Sequence, residues 1–282
     1  MISLDVSGLH LRRWGRRSGR PILLLHGFTG SGSAWGTELV EELARHHPVL
    51  AVDLPGHGRS APSSEGMTGL IRRLTALLDG EDAVRAWWVG YSMGGRVALA
   101  AGVLVPERVA GLVLEGASPG LETGRAREER RQRDEMLARA IESRGMEWFV
   151  DRWLSLPLFA SQRALPAPIQ AANRRRRLEN HPEGLAAALR ALGTGSQPSF
   201  WPRLPSVRAP ALLLTGELDR KYEALARQMA RALPDARHRS VARVGHTVHL
   251  EAPARWLEEV LYFFNSLLEG RSERGTRDET KP

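Results

Sequence analysis

The stretch "VGYSMGGRVALA", residues 89–100, decides how this chain folds. It joins an apolar run, "AWWVG", to a helix-like run, "GRVALAAGV", through Gly90-Tyr91-Ser92-Met93-Gly94, a G-x-S-x-G pattern. Between a buried strand and a helix, that pattern describes a sharp turn. Its glycines relieve the crowding, and the serine oxygen stands exposed at the edge of a sheet. Arg96 follows four residues after Ser92, in the first turn of the expected helix, where the helix dipole disfavours a cation. Either that arginine is solvated surface charge or an anion binds beside the serine.

Working outward, "PILLLHG" (21–27), "PVLAVDLPG" (48–56), "RAWWVGYS" (85–92), "VAGLVLEGA" (109–117) and "APALLLTGELD" (209–219) are short continuous apolar runs ending in glycine or polar clusters. Strands of a parallel sheet, buried on both faces, read this way. Amphipathic stretches separate them, among them "AWGTELVEELARH", "MTGLIRRLTALLDG", "YEALARQMARALP" and "PARWLEEVLYFFNSLLEG". The alternation predicts an α/β fold with a doubly wound, mostly parallel sheet. "ISLDVSGLHLRRWG" predicts an N-terminal hairpin at the sheet edge. Between the strands near 114 and 211 lie about ninety residues with helix-like patterns and proline-rich joints. The expected organisation is a core from 1–120 and 206–268, with a helical cap, 121–205, over the C-terminal sheet edge where open α/β sheets bind ligands. The charged, aperiodic end, 269–282, is expected to be a disordered tail.

Composition narrows the function classes. Apolar residues make up 42% and charged residues 26% of 282, an ordinary globular balance. There is no cysteine, hence no disulfide and no thiolate metal site. The N-terminus has no apolar signal region, and the longest apolar run, "VALAAGVLV" (97–105), is too short to span a bilayer. A soluble cytoplasmic protein is expected. The net charge is +8, and of 40 basic residues only Lys221 and Lys281 are lysine. The arginines are spread along the chain and interleaved with acids, as in "RAREERRQRD" (125–134), and no nucleic-acid-binding signature accompanies them. Neither a nucleic acid nor a membrane is an expected partner.

A catalytic serine needs a base, and the base needs an orienting acid. In folds of this kind the chain order is serine, acid, histidine. Asp219 follows a buried strand in "LLLTGELD" and His246 lies in "VARVGHTVHLEAP". Glu217 and His249 are the nearest rivals, less well placed relative to the strand end and the loop apex. The Phe28 backbone N–H in "LLLHGFTGSG", with that of Met93, is placed to stabilise a developing oxyanion. His26 and His57, in "DLPGHGRS", read as structural. The histidines lack metal-ligand spacing, and no dinucleotide or Walker motif is present, so no metal and no cofactor are expected.

In "LHGFTGSG", "DLPGHG", "GYSMGGRVAL", "EGASPGL", "PLFASQ", "GTGSQPSFW", "LLLTGELDRKY" and "GHTVHLEAP" the chain resembles the α/β-hydrolase superfamily over nearly its whole length. Within it, the chain is similar to the 2-succinyl-6-hydroxy-2,4-cyclohexadiene-1-carboxylate synthases of menaquinone biosynthesis. The triad motifs are shared by many hydrolases; the arginine after the elbow, "EGASPGL" and "GTGSQPSFW" are more specific. The resemblance implies a lyase that removes a proton beside a ketone and expels pyruvate, with Ser92, His246 and Asp219 as the proton-transfer unit. It implies a small tricarboxylate substrate held by Arg96, Arg130 and Arg177, with Trp153 and Tyr91 lining the pocket. The competing readings are an ester or carbon–carbon-bond hydrolase with the same triad, and a non-catalytic binding protein.

Overall fold

The computed structural model describes residues 1–16 and 18–278, with the backbone alone over 270–278. The tail expected at 269–282 therefore falls almost wholly where side chains or placement lie outside the described residues.

A hairpin of β1 (Ile2–Val6) and β2 (Leu9–Trp14) opens the chain. Then β3 (Ile22–Leu25), α1 (Thr37–His46), β4 (Val49–Val52), α2 (Gly66–Gly80), β5 (Ala86–Tyr91), α3 (Met93–Leu104) and β6 (Val109–Glu115) alternate. After β6 come only helical elements: α4 (Gly124–Leu154), α5 (Ala167–Leu178), α6 (Pro182–Leu192) and short 3₁₀ turns. The alternation resumes with β7 (Ala211–Gly216), α7 (Arg220–Ala232), β8 (Ala236–Val241), the single turn α8 (Val248–Glu251) and α9 (Pro253–Asp278). The strands form one sheet in the order β1-β2-β4-β3-β5-β6-β7-β8, antiparallel at β1, β2 and β4 and parallel from β4 to β8.

Every residue of β3 to β7 is buried, which is why each reads as a continuous apolar run. Period-two alternation deals neighbours to opposite faces. Leu23, Leu25 and Trp88 pack with α2, α3 and α7, while Ile22, Leu24 and Trp87 pack with α1 and α9. β8, "ARHRSV", lies on the sheet edge with half-exposed and exposed positions, so it carries no apolar run to announce it. The insertion after β6 has its own small core, where Ala138, Ile141, Phe149 and Val150 of α4 meet Leu185, Ala186 and Leu189 of α6. α4 is two helices in one: Gly145, at φ 79°, breaks it. A positive φ is strained for residues with a Cβ, so glycine takes the break.

Candidate active site

The serine turn follows from its neighbours. Ser92 has φ 51° and ψ −103°, a conformation rare for a residue with a side chain, between β5 and α3. Its N–H donates to the Glu115 carbonyl on β6 at 2.8 Å, tying the turn to the sheet. A Cβ at Gly94 would overlap the Leu25 carbonyl, and one at Gly90 the Gly94 carbonyl. Both positions of the motif therefore require glycine. A Cβ at Gly27 would lie within 2.6 Å of the Tyr91 ring and 3.5 Å of the Ser92 Cβ, so the loop after β3 runs directly beside the serine.

Asp219 and His246 come together at the ends of β7 and the loop after β8. Asp219 Oδ2 accepts from His246 Nδ1 at 2.5 Å, and both side chains are buried. Asp219 also caps α7, its Oδ1 accepting from the Tyr222 N–H at 3.4 Å. The His246 ring sits among Tyr222, Tyr91 and Phe159, at centroid distances of 4.6, 5.2 and 6.2 Å. Its flanks are braced by Glu251, whose carboxylate accepts the N–H groups of Gly245 and Thr247 at 2.8 and 3.2 Å. Nε2 of His246 is buried with no hydrogen-bond partner among the described residues, so the Ser92 hydroxyl is not bonded to it in this structure. Such bonds often tighten only when substrate binds. The rival residues are engaged elsewhere. Glu217 is exposed and accepts from the Arg243 N–H, and His249 is bonded to the buried Glu115 carboxylate at 2.9 Å.

Ser92, His246, Phe28, Met93, Tyr91 and Trp153 line one cavity of about 390 Å³ between the sheet edge and the helical insertion. That volume suits a small ring compound. No protein acceptor takes the Phe28 or Met93 backbone N–H among the described residues. Beneath them His26 clamps two loops, Nδ1 donating to the Gly27 carbonyl and Nε2 accepting from the Leu54 N–H. Burial pushes His26 down to about 4 and His57 down to about 3, so both are neutral at pH 7.

The arginines differ in place. Arg96 is buried on the cavity wall and reaches into the insertion, donating to Gln197 Oε1 at 2.7 Å and to the Leu192 carbonyl at 2.8 Å. Burial lowers its pKa to about 10, which leaves it charged at neutral pH, and among the described residues no carboxylate lies within ion-pair distance of it. Arg130 also lines the cavity, but pairs with Asp134 at 2.8 Å. Arg177 does not line it. It lies in an adjoining small cavity behind Phe28 and Tyr91, donates to Thr29 Oγ1 and stands 5.4 Å over the Phe159 ring. Sequence reasoning did not single out Gln197, Tyr222 or Lys221. Tyr222 and Lys221 also line the cavity, and their signal was adjacency to Asp219 in "LDRKY".

A mostly parallel sheet carrying a strained serine at a strand–helix turn, with an Asp–His pair from later strand ends, defines the class. The chain belongs to the α/β-hydrolase family, which it matches over residues 22–260. A protein of Salmonella paratyphi A named 2-succinyl-6-hydroxy-2,4-cyclohexadiene-1-carboxylate synthase is 37% identical over 248 residues, 87% of this chain and 94% of its own. A Bacillus subtilis protein carrying that name provisionally is 38% identical over 257 residues, 90% of this chain and 93% of its own. Among solved structures, MenH from S. aureus superposes with a TM-score of 0.87 at 33% identity, over 92% of this chain and 99% of that one. No helix among the described residues is long and apolar enough to cross a membrane.

Proposed function

We propose that this protein is a lyase of menaquinone biosynthesis. It eliminates pyruvate from 2-succinyl-5-enolpyruvyl-6-hydroxy-3-cyclohexene-1-carboxylate and leaves 2-succinyl-6-hydroxy-2,4-cyclohexadiene-1-carboxylate. The relatives' names supply the product, and the resemblance supplies the elimination that forms it. The observation that carries the reading on this chain is Arg96, a buried cation on the wall of the Ser92 cavity whose hydrogen bonds, among the described residues, go to neutral oxygens. A simple ester needs no such charge, whereas a carboxylate substrate does. Asp134, whose charge favours the Arg96 cation from nearby, is itself paired with Arg130, so a bound carboxylate would give Arg96 an ion pair of its own.

The chemistry then follows. Ser92 Oγ gives its proton to His246 Nε2 and takes the proton from the carbon beside the substrate ketone. The electron pair becomes an enolate, whose oxygen is held by the Phe28 and Met93 N–H groups. Collapse of the enolate through the ring double bond breaks the ring C–O bond, and His246 returns its proton to the departing enolpyruvate, which leaves as pyruvate. Asp219 fixes the His246 tautomer and offsets the imidazolium charge. Arg96 and Arg130 hold carboxylates, while Tyr91 and Trp153 shape the apolar wall. Arg177, bonded to Thr29 next to Phe28, braces the loop that carries the oxyanion donor. The helical insertion, 121–205, serves as the cap over this site, and the enzyme works in the cytoplasm on a small soluble anion. The test is incubation with the enolpyruvyl substrate while following diene absorbance and pyruvate together. One pyruvate per diene is expected, with Ser92→Ala silent in both; pyruvate without diene would overturn the reading.

A further inference from the structure

The cavity wall has an unbalanced charge. Among the described residues it carries three cations, Arg96, Arg130 and Lys221, and no aspartate or glutamate. Arg96 is buried and bonded to neutral oxygens, and Arg130 shares its charge with Asp134. Lys221 is different: it is exposed at the wall and makes no hydrogen bond or ion pair among the described residues. Its ammonium stands over the Tyr222 ring, whose centroid lies 5.4 Å from Nζ. That contact leaves the ammonium free to meet an anion.

The backbone at Lys221 is fixed by the site itself. Asp219 caps α7 and binds the Tyr222 N–H, and the Tyr222 ring packs against His246 at 4.6 Å. Lys221 lies between these two anchors, so its stem starts from a set point while its four carbons let the head reach into the cavity. The choice of residue points the same way. This chain uses arginine almost everywhere, yet at this wall it has one of its two lysines. A guanidinium gives a planar fork, whereas an ammonium gives a compact charge that can follow a carboxylate on a flexible group.

We infer that Lys221 is a substrate-recognition residue, whose ammonium takes one carboxylate of the substrate, so that Arg96, Arg130 and Lys221 answer three carboxylates with three cations. This rests on the tricarboxylate reading above. It places the third cation on the α7 wall, whereas Arg177, the third arginine expected from the resemblance, lies outside the cavity lining.

The experiment compares wild type, Lys221→Met and Lys221→Arg in steady-state turnover of the enolpyruvyl substrate at low and high salt. The same Lys221 changes are made on a Ser92→Ala background, where substrate binding is measured by calorimetry without turnover. Loss of one charged hydrogen bond corresponds to roughly a ten- to hundredfold change. Lys221→Met is expected to raise KM and Kd by about that factor at low salt, with kcat within roughly twofold and a flatter salt dependence than wild type. Lys221→Arg is expected to recover most of the loss. Wild-type KM, Kd and salt dependence in Lys221→Met would overturn the inference and leave the proposed reaction standing. A drop in kcat alone would also overturn it, because that is the mark of a disturbed Asp219 cap. A wild-type protein that makes no diene would overturn the parent reading, and this one with it.

Discussion

Replacing Arg96 by alanine tests whether an anion binds beside Ser92. The side chain is 8% exposed and its guanidinium has two neutral acceptors, Gln197 Oε1 and the Leu192 carbonyl. One hydrogen bond to a charged group contributes about 1.5–3 kcal/mol, so losing the substrate carboxylate contact lowers kcat/KM by roughly 10- to 150-fold. A second effect comes from the fold. On helix-dipole grounds alone, removing a cation near the start of α3 would leave stability unchanged or improve it. The opposite is expected here, because Arg96 ties the core to the helical insertion. Arg96→Ala strands two buried acceptors at a cost on the order of 1–3 kcal/mol each, and the melting temperature should fall. Arg96→Lys should restore part of the activity and part of the stability, since an ammonium cannot serve both acceptors and a carboxylate with the same fork. The assay is pyruvate release at several substrate concentrations, paired with thermal melts of the same preparations. If Arg96→Ala melts early yet keeps the wild-type kcat/KM, the arginine is a strut for the insertion and the anion-binding argument fails.

Ser92→Ala, His246→Ala and Asp219→Asn should each lower kcat by orders of magnitude, and the double variants little further, because the three act as one unit. Glu217→Gln should leave kcat near wild type, and a larger loss there than in Asp219→Asn would refute the assignment of the acid. Arg177→Ala should lower kcat through the Thr29 loop with KM little changed; a rise in KM alone would mean that it contacts substrate directly. Folding stability should fall with acid. His26 and His57 are held neutral to about 4 and about 3, so below their ordinary value of 6.5 the unfolded chain binds protons that the native state refuses. Each contributes roughly 3 to 5 kcal/mol of loss, developing from pH 6.5 down to the folded pKa. Urea unfolding at pH 7 and pH 5 measures it, and His57→Asn should flatten the slope; an unchanged slope in that variant would contradict the assignment.

Much of the fold was legible because burial on both faces of β3 to β7 writes itself as uninterrupted apolar residues. β8 escaped that reading: its "ARHRSV" lies on the sheet edge and spends its side chains on solvent and on partners such as Ser266, bonded by Arg237. α5, "APIQAANRRRRL", escaped for a related reason, since Arg177 is its only buried side chain. At the site, the convergence of Ser92 with the bonded Asp219–His246 pair was legible because the turn and the two strand ends demand particular residues in a particular order. The arginines were harder. Arg96, Arg130 and Arg177 share one residue type, but whether each faces the cavity, an acid four residues on, or the Thr29 loop depends on how the insertion packs. Nothing local in "NRRRR" distinguishes Arg177 from its neighbours. Gln197 was legible as part of "GTGSQPSFW" but not as the partner of Arg96, a contact across 101 residues of chain.

Elimination and hydrolysis leave ring products of different mass. Purified protein is given the enolpyruvyl cyclohexene substrate, and the ring product is weighed by mass spectrometry within the first turnovers. Elimination breaks the ring C–O bond and leaves a conjugated diene, one water lighter than the ring alcohol that hydrolysis of the enol ether would leave. The diene alone is expected, formed at the rate of pyruvate release and absent with Ser92→Ala. A ring alcohol formed at that rate would show that the Ser92, His246 and Asp219 set activates water, and would rule out elimination.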